Sequence, residues 1–148
     1  MRREDCTFWI EIDIRWGDMD SQSHVNNAVY FTYCEQARVD FLHSVGIRGK
    51  FGAEQGPMLV SASCDFKRQL TYPGKVDVGL YVEEMGRSSC RLRYGIFRKG
   101  ADEPVALGTS VNAWVDYRES RAIPLPDDVR ATLTKYRIKV TAAELRQP

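Results

Sequence analysis

Hydrophobic and polar residues alternate near the start of the chain, and the period then changes. In TFWIEIDIRW, residues 7–16, every second residue from Phe8 to Trp16 is apolar and most residues between them are charged. This period of two predicts a strand with one buried face. Between residues 28 and 45 the apolar residues fall instead within one broad arc of a helix: Tyr30, Phe31, Cys34, Ala37, Phe41, Leu42 and Val45. A helix of about five turns, ending at Gly46, is therefore predicted.

Four further segments alternate again after residue 57. They are LVSASCDF (59–66), VDVGLYVE (76–83), CRLRYGI (90–96) and VALGTSVNAWVDY (105–117). The breaks TYPGK, MGRSS and KGADEP contain turn residues, so we expect short antiparallel connections between neighbouring strands. The segment LPDDVRATLTKY, residues 125–136, has Pro126 and Asp127 near its start and predicts a short terminal helix.

The order of these elements predicts the fold class. One strand, one long apolar helix, four strands and a short helix indicate an α+β protein whose five-stranded antiparallel sheet wraps around the helix. The 148 residues suit a single domain over 1–148, with a core at about 7–137. The tail at about 138–148 lacks periodicity, and we expect it to be loosely attached.

Composition excludes several classes of function. A formal net charge of +1 gives no electrostatic reason to bind nucleic acid. No run reaches the ~20 apolar residues of a membrane span, so no membrane insertion is expected. Four cysteines without a CxxC pair, and two histidines, do not predict a metal site. The charged start MRRED lacks a secretory pattern, which favours a cytoplasmic protein with reduced cysteines.

The loop between the first strand and the long helix concentrates polar residues. Asp18, Asp20, Gln22 and His24 lead into Asn26 and Asn27 at the predicted helix start. A helix start has unpaired N–H groups and a partial positive charge, which suit an oxygen that develops negative charge. A purely structural interpretation is also open: either asparagine caps the helix, Asp18 fixes the turn, and His24 is a hydrogen-bonded loop residue.

The segment WGDMDSQSHVNNAVYFTYCEQAR, residues 16–38, resembles the signature of the 4-hydroxybenzoyl-CoA thioesterase family of hotdog-fold acyl thioesterases. With the order of elements, the resemblance covers about residues 7–137. It implies hydrolysis of an acyl-CoA to the free acid and coenzyme A, with Asp20 as the catalytic carboxylate and His24 assisting. It also implies that a backbone N–H at or next to Asn27 polarises the thioester carbonyl. Gln22 stands where related plant acyl-carrier-protein thioesterases tend to have asparagine.

This chemistry suits the residues. A thiolate leaves readily, so the barrier lies in adding a nucleophile to the carbonyl and stabilising the oxyanion. Asp20 could attack the carbonyl directly or could deprotonate a water molecule, and the helix start would stabilise the oxyanion. No cofactor is expected, because coenzyme A is part of the substrate and a product.

Other residues are weaker candidates. In the resembling family, the hairpin that here contains Arg87, Ser88 and Ser89 lies near the pantetheine path, which makes these residues candidates for binding coenzyme A. Asn26 and Tyr30 are further substrate-binding candidates. Lys67 and Arg68 are most simply solvated charges, although such cations could hold the phosphates of coenzyme A.

Two residues of the long helix have competing interpretations. Glu35 and Arg38 are spaced for an ion pair, which we expect to be partly buried at a subunit contact. The alternative is that Glu35 is a general base. Cys34 lies within the apolar arc and is predicted to pack in the core.

The resemblance also implies a homodimer or homotetramer with active sites between subunits, and the long edge strands fit this. Two other functions stay open. One is an acyl-carrier-protein thioesterase, in which a different partner presents the thioester. The other is a non-catalytic acyl-CoA-binding hotdog protein, which would not need a carboxylate at position 20.

Overall fold

The computed structural model describes residues 1–47 and 53–138. The described chain forms two α-helices, six strands and two short 3-10 turns. In chain order these are a 3-10 turn at Arg3–Asp5, β1 at Phe8–Ile14, a 3-10 turn at Trp16–Asp18, α1 at Asn27–Ser44, β2 at Gln55–Phe66, β3 at Gly74–Met85, β4 at Ser89–Arg98, β5 at Pro104–Asp116, β6 at Arg121–Ala122 and α2 at Asp127–Thr134.

The strands form one antiparallel sheet in the order β1-β3-β4-β5-β2, and the short β6 pairs with β5. The sheet curls around α1, so the α+β fold predicted from the sequence is confirmed. The hairpins predicted at MGRSS and KGADEP join β3 to β4 and β4 to β5. β6 was not predicted, because two residues carry no alternation.

The prediction of a short hairpin at TYPGK is wrong. β2 pairs with β5 at one edge of the sheet, whereas β3 pairs with β1 at the other side. The connection after Phe66 therefore crosses beneath the start of α1, where Leu70 is buried and its carbonyl accepts from the N–H of Val25 (2.9 Å). This crossover brings residues 66–70 beside the loop that precedes the helix.

α1 begins and ends close to the predicted residues, and Gly46 after it has a positive φ of 79°. A positive φ suits glycine at a helix end. The buried face of α1 differs from the predicted arc, because Tyr33 belongs to it and Phe31 does not, whereas Arg38 is buried as its position inside the arc predicts. Phe31 lies at the edge of the arc and faces out beside β2, beyond the cover of the sheet. The buried residues of α1 are Tyr30, Tyr33, Cys34, Ala37, Arg38 and Phe41.

β2 is an exposed edge strand for most of its length. Its alternation predicts a half-buried strand, but Val60 and Phe66 are exposed and a register shift falls between Leu59 and Ser61. The strand lies at the end of the sheet, where α1 covers it poorly.

The short C-terminal helix is present as predicted, and α2 buries Val129 and Leu133 against the core. The predicted loose tail lies almost entirely outside the described residues. No helix in the described part of the chain is long and apolar enough to cross a membrane.

Candidate active site

Asp18 is held inside the protein by groups of Arg15 and Tyr33. Its carboxylate accepts from the backbone N–H of Arg15 (2.9 Å), from the Arg15 Nε (3.0 Å) and from the hydroxyl of Tyr33 (2.8 Å). Its exposure is 1%. Burial alone would raise the pKa of Asp18, but the hydrogen bonds from Arg15 and Tyr33 outweigh burial and hold it below its usual value. Asp18 therefore ties the turn to α1, as its predicted structural role requires.

The loop after Asp18 closes on itself around Asp20 and His24. Met19 and Val25 form an antiparallel bridge. The N–H of Asp20 donates to the His24 carbonyl (2.9 Å), and the N–H of Ser23 donates to the Asp20 carbonyl (3.1 Å). Ser23 takes a positive φ of 63° at the tip. These bonds hold Asp20 and His24 on facing strands at the neck of a small loop.

The Asp20 carboxylate is far less satisfied than that of Asp18. Asp20 is half-buried, and one of its oxygens accepts from the backbone N–H of Gln22 (2.8 Å). Within residues 1–47 and 53–138, this is the one donor recorded for the carboxylate. Asp20 therefore keeps oxygen lone pairs that can act on a bound molecule.

The helix start offers a free donor next to this carboxylate's loop. Asn26 is the N-cap, since its side-chain oxygen accepts from the N–H of Ala28 (2.9 Å) and its own N–H donates to the Asp18 carbonyl (2.9 Å). The cap interpretation is thus correct for Asn26. The backbone N–H of Asn27 has no acceptor among the described residues. It lies at the positive end of an 18-residue helix, where an oxyanion would be stabilised.

One cavity brings several predicted site residues together. Its volume is about 360 Å³, and Asp20, His24, Asn27 and Tyr30 all line it. Tyr30 is buried, and its hydroxyl lies 3.4 Å from the Arg68 carbonyl. Burial raises the pKa of Tyr30, which keeps its hydroxyl protonated. The other lining residues are Gln22, Val25, Phe66, Lys67, Arg68 and Gln69.

Arg87, Ser88 and Ser89 are not brought to this cavity within one chain. Arg87 and Ser88 lie in the β3–β4 turn, where their carbonyls accept from the N–H groups of Leu125 (2.9 Å) and Trp114 (2.7 Å), and Ser89 is the first residue of β4. Ser89 pairs with Ala113 of β5, whereas Phe66 at the cavity pairs with Ala106. Seven residues of strand separate those positions, which is about 23 Å.

Local patterns in the sequence do not predict that the cavity of Asp20 is also lined by Phe66, Lys67, Arg68 and Gln69. Arg68 is paired with Glu103 at 2.7 Å, and both side chains are largely exposed. Arg68 thus remains the solvated charge expected from the sequence, although it also borders the cavity. These residues reach the cavity through the crossover after β2, and the alternation of residues within a strand does not predict such a connection.

Two expectations for α1 can be judged from the same geometry. Cys34 is buried, and burial raises the pKa of its thiol to about 12, so it packs in the core and is unsuited to act as a thiolate nucleophile. Glu35 and Arg38 form the predicted pair with 3.7 Å between Nη2 and Oε2. In the described chain Glu35 does not line the cavity that contains Asp20.

The fold and this cavity together define the class of protein. A curled antiparallel sheet around one long helix, with a polar loop before the helix, is the hotdog arrangement of thioester hydrolases. The model of the Thioesterase-like superfamily matches residues 14–133. The chain belongs to this superfamily.

Three known proteins show how close the similarity is. The crystal structure of the PA5185 protein from Pseudomonas aeruginosa is 30% identical with a TM-score of 0.87, over 95% of this chain and 98% of that one. The PA2801 protein from the same species is 35% identical with a TM-score of 0.78, over 85% of this chain and 97% of its own. The chloroplastic acyl-acyl carrier protein thioesterase ATL3 of Arabidopsis thaliana is 26% identical over 129 residues, which are 86% of this chain and 67% of the relative.

Proposed function

We propose that this protein hydrolyses an acyl-CoA thioester to a free carboxylic acid and coenzyme A, as 4-hydroxybenzoyl-CoA thioesterase-like proteins do, with Asp20 as the catalytic carboxylate. The observation that carries the proposal is a single cavity lined by Asp20, His24 and the start of α1 at Asn27. It combines a carboxylate that has spare lone pairs with an N–H group that has no acceptor in the described chain.

The oxygen of the thioester carbonyl binds at the N–H of Asn27, and the negative charge that develops on it is stabilised there. Each donor of this kind is commonly worth ~3 kcal/mol in the transition state. Because the positive end of α1 is fixed before substrate binds, little reorganisation is needed when that charge appears.

Asp20 then acts in one of two ways. As a nucleophile, its oxygen forms a bond to the carbonyl carbon, the carbon–sulfur bond breaks, and coenzyme A leaves as a thiolate. Water hydrolyses the resulting mixed anhydride, which returns the Asp20 carboxylate and releases the acid. As a general base, Asp20 instead accepts a proton from a water molecule that attacks the carbonyl; the tetrahedral intermediate then collapses, the carbon–sulfur bond breaks, and coenzyme A leaves as a thiolate that takes up the proton. His24 orients the water, the substrate or Asp20 in either route.

The charges at the cavity border suit a carrier that bears phosphate, such as coenzyme A. Lys67 and Arg68 line the cavity, and cations there can attract the phosphates of coenzyme A. A second candidate function is hydrolysis of an acyl group from acyl carrier protein, and the similarity to ATL3 favours it. Hydrolysis rates on the same acyl group carried by coenzyme A and by acyl carrier protein separate the two candidates.

We also propose that two copies of the chain pair through the exposed face of β2. Edge strands with unpaired backbone groups and apolar side chains favour pairing with another strand, and Met58, Leu59 and Val60 are all exposed on β2. In such a pair, a second copy is what could bring Arg87, Ser88 and Ser89 to the cavity. Light scattering of the wild type should give the mass of a dimer or tetramer, and Val60→Lys should reduce it; a wild-type monomer would contradict the proposal.

The proposed reaction is tested by thiol release from a panel of acyl-CoA esters. Wild-type protein should turn over at least one ester, and Asp20→Asn should lower kcat by about 100- to 10,000-fold. Asp102→Asn is the matched control, because Asp102 is an exposed aspartate in the β4–β5 turn. Binding of acyl-CoA without turnover would favour the non-catalytic alternative, and full activity of Asp20→Asn would refute the mechanism.

A further inference from the structure

A second cavity lies farther along the cleft between α1 and β2. Its volume is about 140 Å³. The cavity of Asp20 is bordered by Tyr30 on α1 and Phe66 on β2, whose rings meet edge to face at 5.2 Å. The second cavity is bordered by Phe31, the next residue of α1, and by Ser63, three residues before Phe66 on β2. The two cavities are therefore neighbours along the cleft between α1 and β2.

A buried arginine forms part of the second cavity. Arg38 is 8% exposed, and its nearest carboxylate, that of Glu35, is 3.7 Å away. The side chain of Glu35 is 63% exposed, so its charge is largely solvated and compensates Arg38 weakly. A guanidinium has five N–H donors, and a buried charge is costly unless it is well paired.

The floor of this cavity is polar but uncharged. The hydroxyl groups of Tyr94 and Ser110 are hydrogen-bonded at 2.7 Å, and the side-chain amide of Asn112 donates to the Ser110 oxygen (3.1 Å). All three residues are buried. Burial raises the pKa of Tyr94 to about 12, although its hydrogen bond with Ser110 and the neighbouring Arg38 guanidinium both act to lower it, so Tyr94 stays neutral. Arg38 therefore has a neutral polar neighbour in the floor of the cavity, and Glu35 is its one recorded carboxylate partner in the described chain.

We infer that this cavity receives the far end of the acyl group and that Arg38 binds a carboxylate at that end. The inference rests on the proposed thioesterase function and names the class of acyl group. A carboxylate can accept two parallel hydrogen bonds from a guanidinium, which is the strongest pairing available to Arg38. Side chains of a helix lean toward its N-terminus, so Arg38 leans toward the end of α1 where the thioester is held.

Chain-matched substrates test the inference directly. The CoA esters of six-, eight- and ten-carbon acids are compared with the esters that carry a carboxylate at the far end: hexanoyl with adipoyl, octanoyl with suberoyl, and decanoyl with sebacoyl. We expect kcat/KM to be about tenfold or more higher for the carboxylate-bearing ester at one chain length at least. The absence of such a preference at every chain length overturns the inference and leaves the thioesterase function standing.

Variants of the cavity residues test whether the preference for carboxylate-bearing esters depends on Arg38. Ser63 lines the cavity and is exposed, so Ser63→Asp adds a negative charge there with little risk to folding and should abolish the preference. Because Ser63 lies on β2, where we propose that two copies pair, light scattering checks that the mass of this variant is that of the wild type. Ser61→Asp is the control, because Ser61 is exposed on the same strand but does not line this cavity. Arg38→Met, checked by thermal denaturation, should likewise abolish it. Persistence of the preference in folded Arg38→Met and in Ser63→Asp contradicts the inference.

A binding measurement separates failure of this inference from failure of the proposed function. If the wild type hydrolyses none of the esters, the proposed reaction is wrong. The dissociation constants of the same ester pairs with Asp20→Asn then still decide the role of Arg38. Tighter binding of the carboxylate-bearing ester by about tenfold supports it, and equal or weaker binding overturns it.

Discussion

The two aspartates of the loop, Asp18 and Asp20, are two residues apart and have opposite surroundings. Asp18 is buried and receives hydrogen bonds from Arg15 and Tyr33. Asp20 borders a cavity and receives one recorded hydrogen bond, from the N–H of Gln22. The oxygens of the Asp18 carboxylate are occupied by hydrogen bonds from the protein, whereas the Asp20 carboxylate has oxygen lone pairs left for a ligand.

This difference assigns roles that residue type alone does not. A carboxylate whose donors all come from its own chain stabilises the fold and has little left to offer a substrate. The helix start shows the same division, because Asn26 caps α1 while Asn27 lines the cavity and its N–H has no acceptor among the described residues. Asp18 and Asn26 therefore hold the loop in position, and Asp20 and the N–H of Asn27 remain for a ligand.

Among variants that keep Asp20, the largest effect is expected when the free N–H of Asn27 is removed. Asn27 is the first residue of α1, where proline fits a helix, and the ψ of 138° at Asn26 suits a residue before proline. Asn27→Pro should therefore fold normally but lower kcat by about 100- to 1,000-fold. Asn27→Ala keeps the N–H and is the matched control. Equal activity of the proline and alanine variants would show that this N–H does not serve the reaction.

A smaller effect, on stability, is expected at Asp18. Asp18→Asn should lower the free energy of unfolding by about 2 kcal/mol at pH 7, because hydrogen bonds to a buried charge are lost. Urea denaturation measures the change, and Asp13→Asn on the exposed side of β1 is the control. A loss at Asp18 no larger than that at Asp13 would mean that the buried carboxylate does not stabilise the turn.

The effect at Asp18 should depend on pH in a defined direction. Its pKa is lowered in the folded protein, so its contribution is complete above the unfolded value of about 3.9. The contribution is then lost as pH falls through the folded pKa. The stability difference between wild type and Asp18→Asn should stay constant from pH 6 to 8 and shrink below about pH 4. A difference that grows in acid would contradict this.

The smallest effect is expected at the helix cap. Asn26→Ala should cost about 1 kcal/mol of stability, whereas Asn26→Asp should retain most of it because aspartate also caps helices. Thermal or urea denaturation of the two variants gives the comparison. If alanine and aspartate are equally stable, the Asn26 side chain does not contribute as a cap.

Much of the fold could be predicted from the sequence because the spacing of hydrophobic residues distinguishes a helix from a strand. The helix predicted at 28–45 occupies Asn27–Ser44, and the five long strands fall on the five alternating segments. Strand order is a different matter, since alternation says which face of a strand is buried but not which strand lies beside it. The wrong hairpin at TYPGK follows from that limit.

The site could be predicted only as far as it is local in the chain. Asp20, His24 and Asn27 lie within eight residues of one another, and the structure brings them to one cavity. Lys67 and Gln69 join them through the crossover, a long-range contact that a local pattern cannot contain. The resemblance predicts that the hairpin at Arg87 binds coenzyme A, but within one chain this hairpin lies at the opposite end of the sheet from the cavity. Its role in binding coenzyme A stays a prediction.

The most direct test of the account measures activity and stability together in wild type, Asp18→Asn and Asp20→Asn. We predict that Asp20→Asn loses turnover of an acyl-CoA ester by about 100-fold or more while its free energy of unfolding stays within about 0.5 kcal/mol of wild type. Asp18→Asn should show the reverse, a loss of about 2 kcal/mol in stability with turnover largely kept below its unfolding transition. Wild-type turnover in Asp20→Asn would contradict the assignment of the catalytic carboxylate.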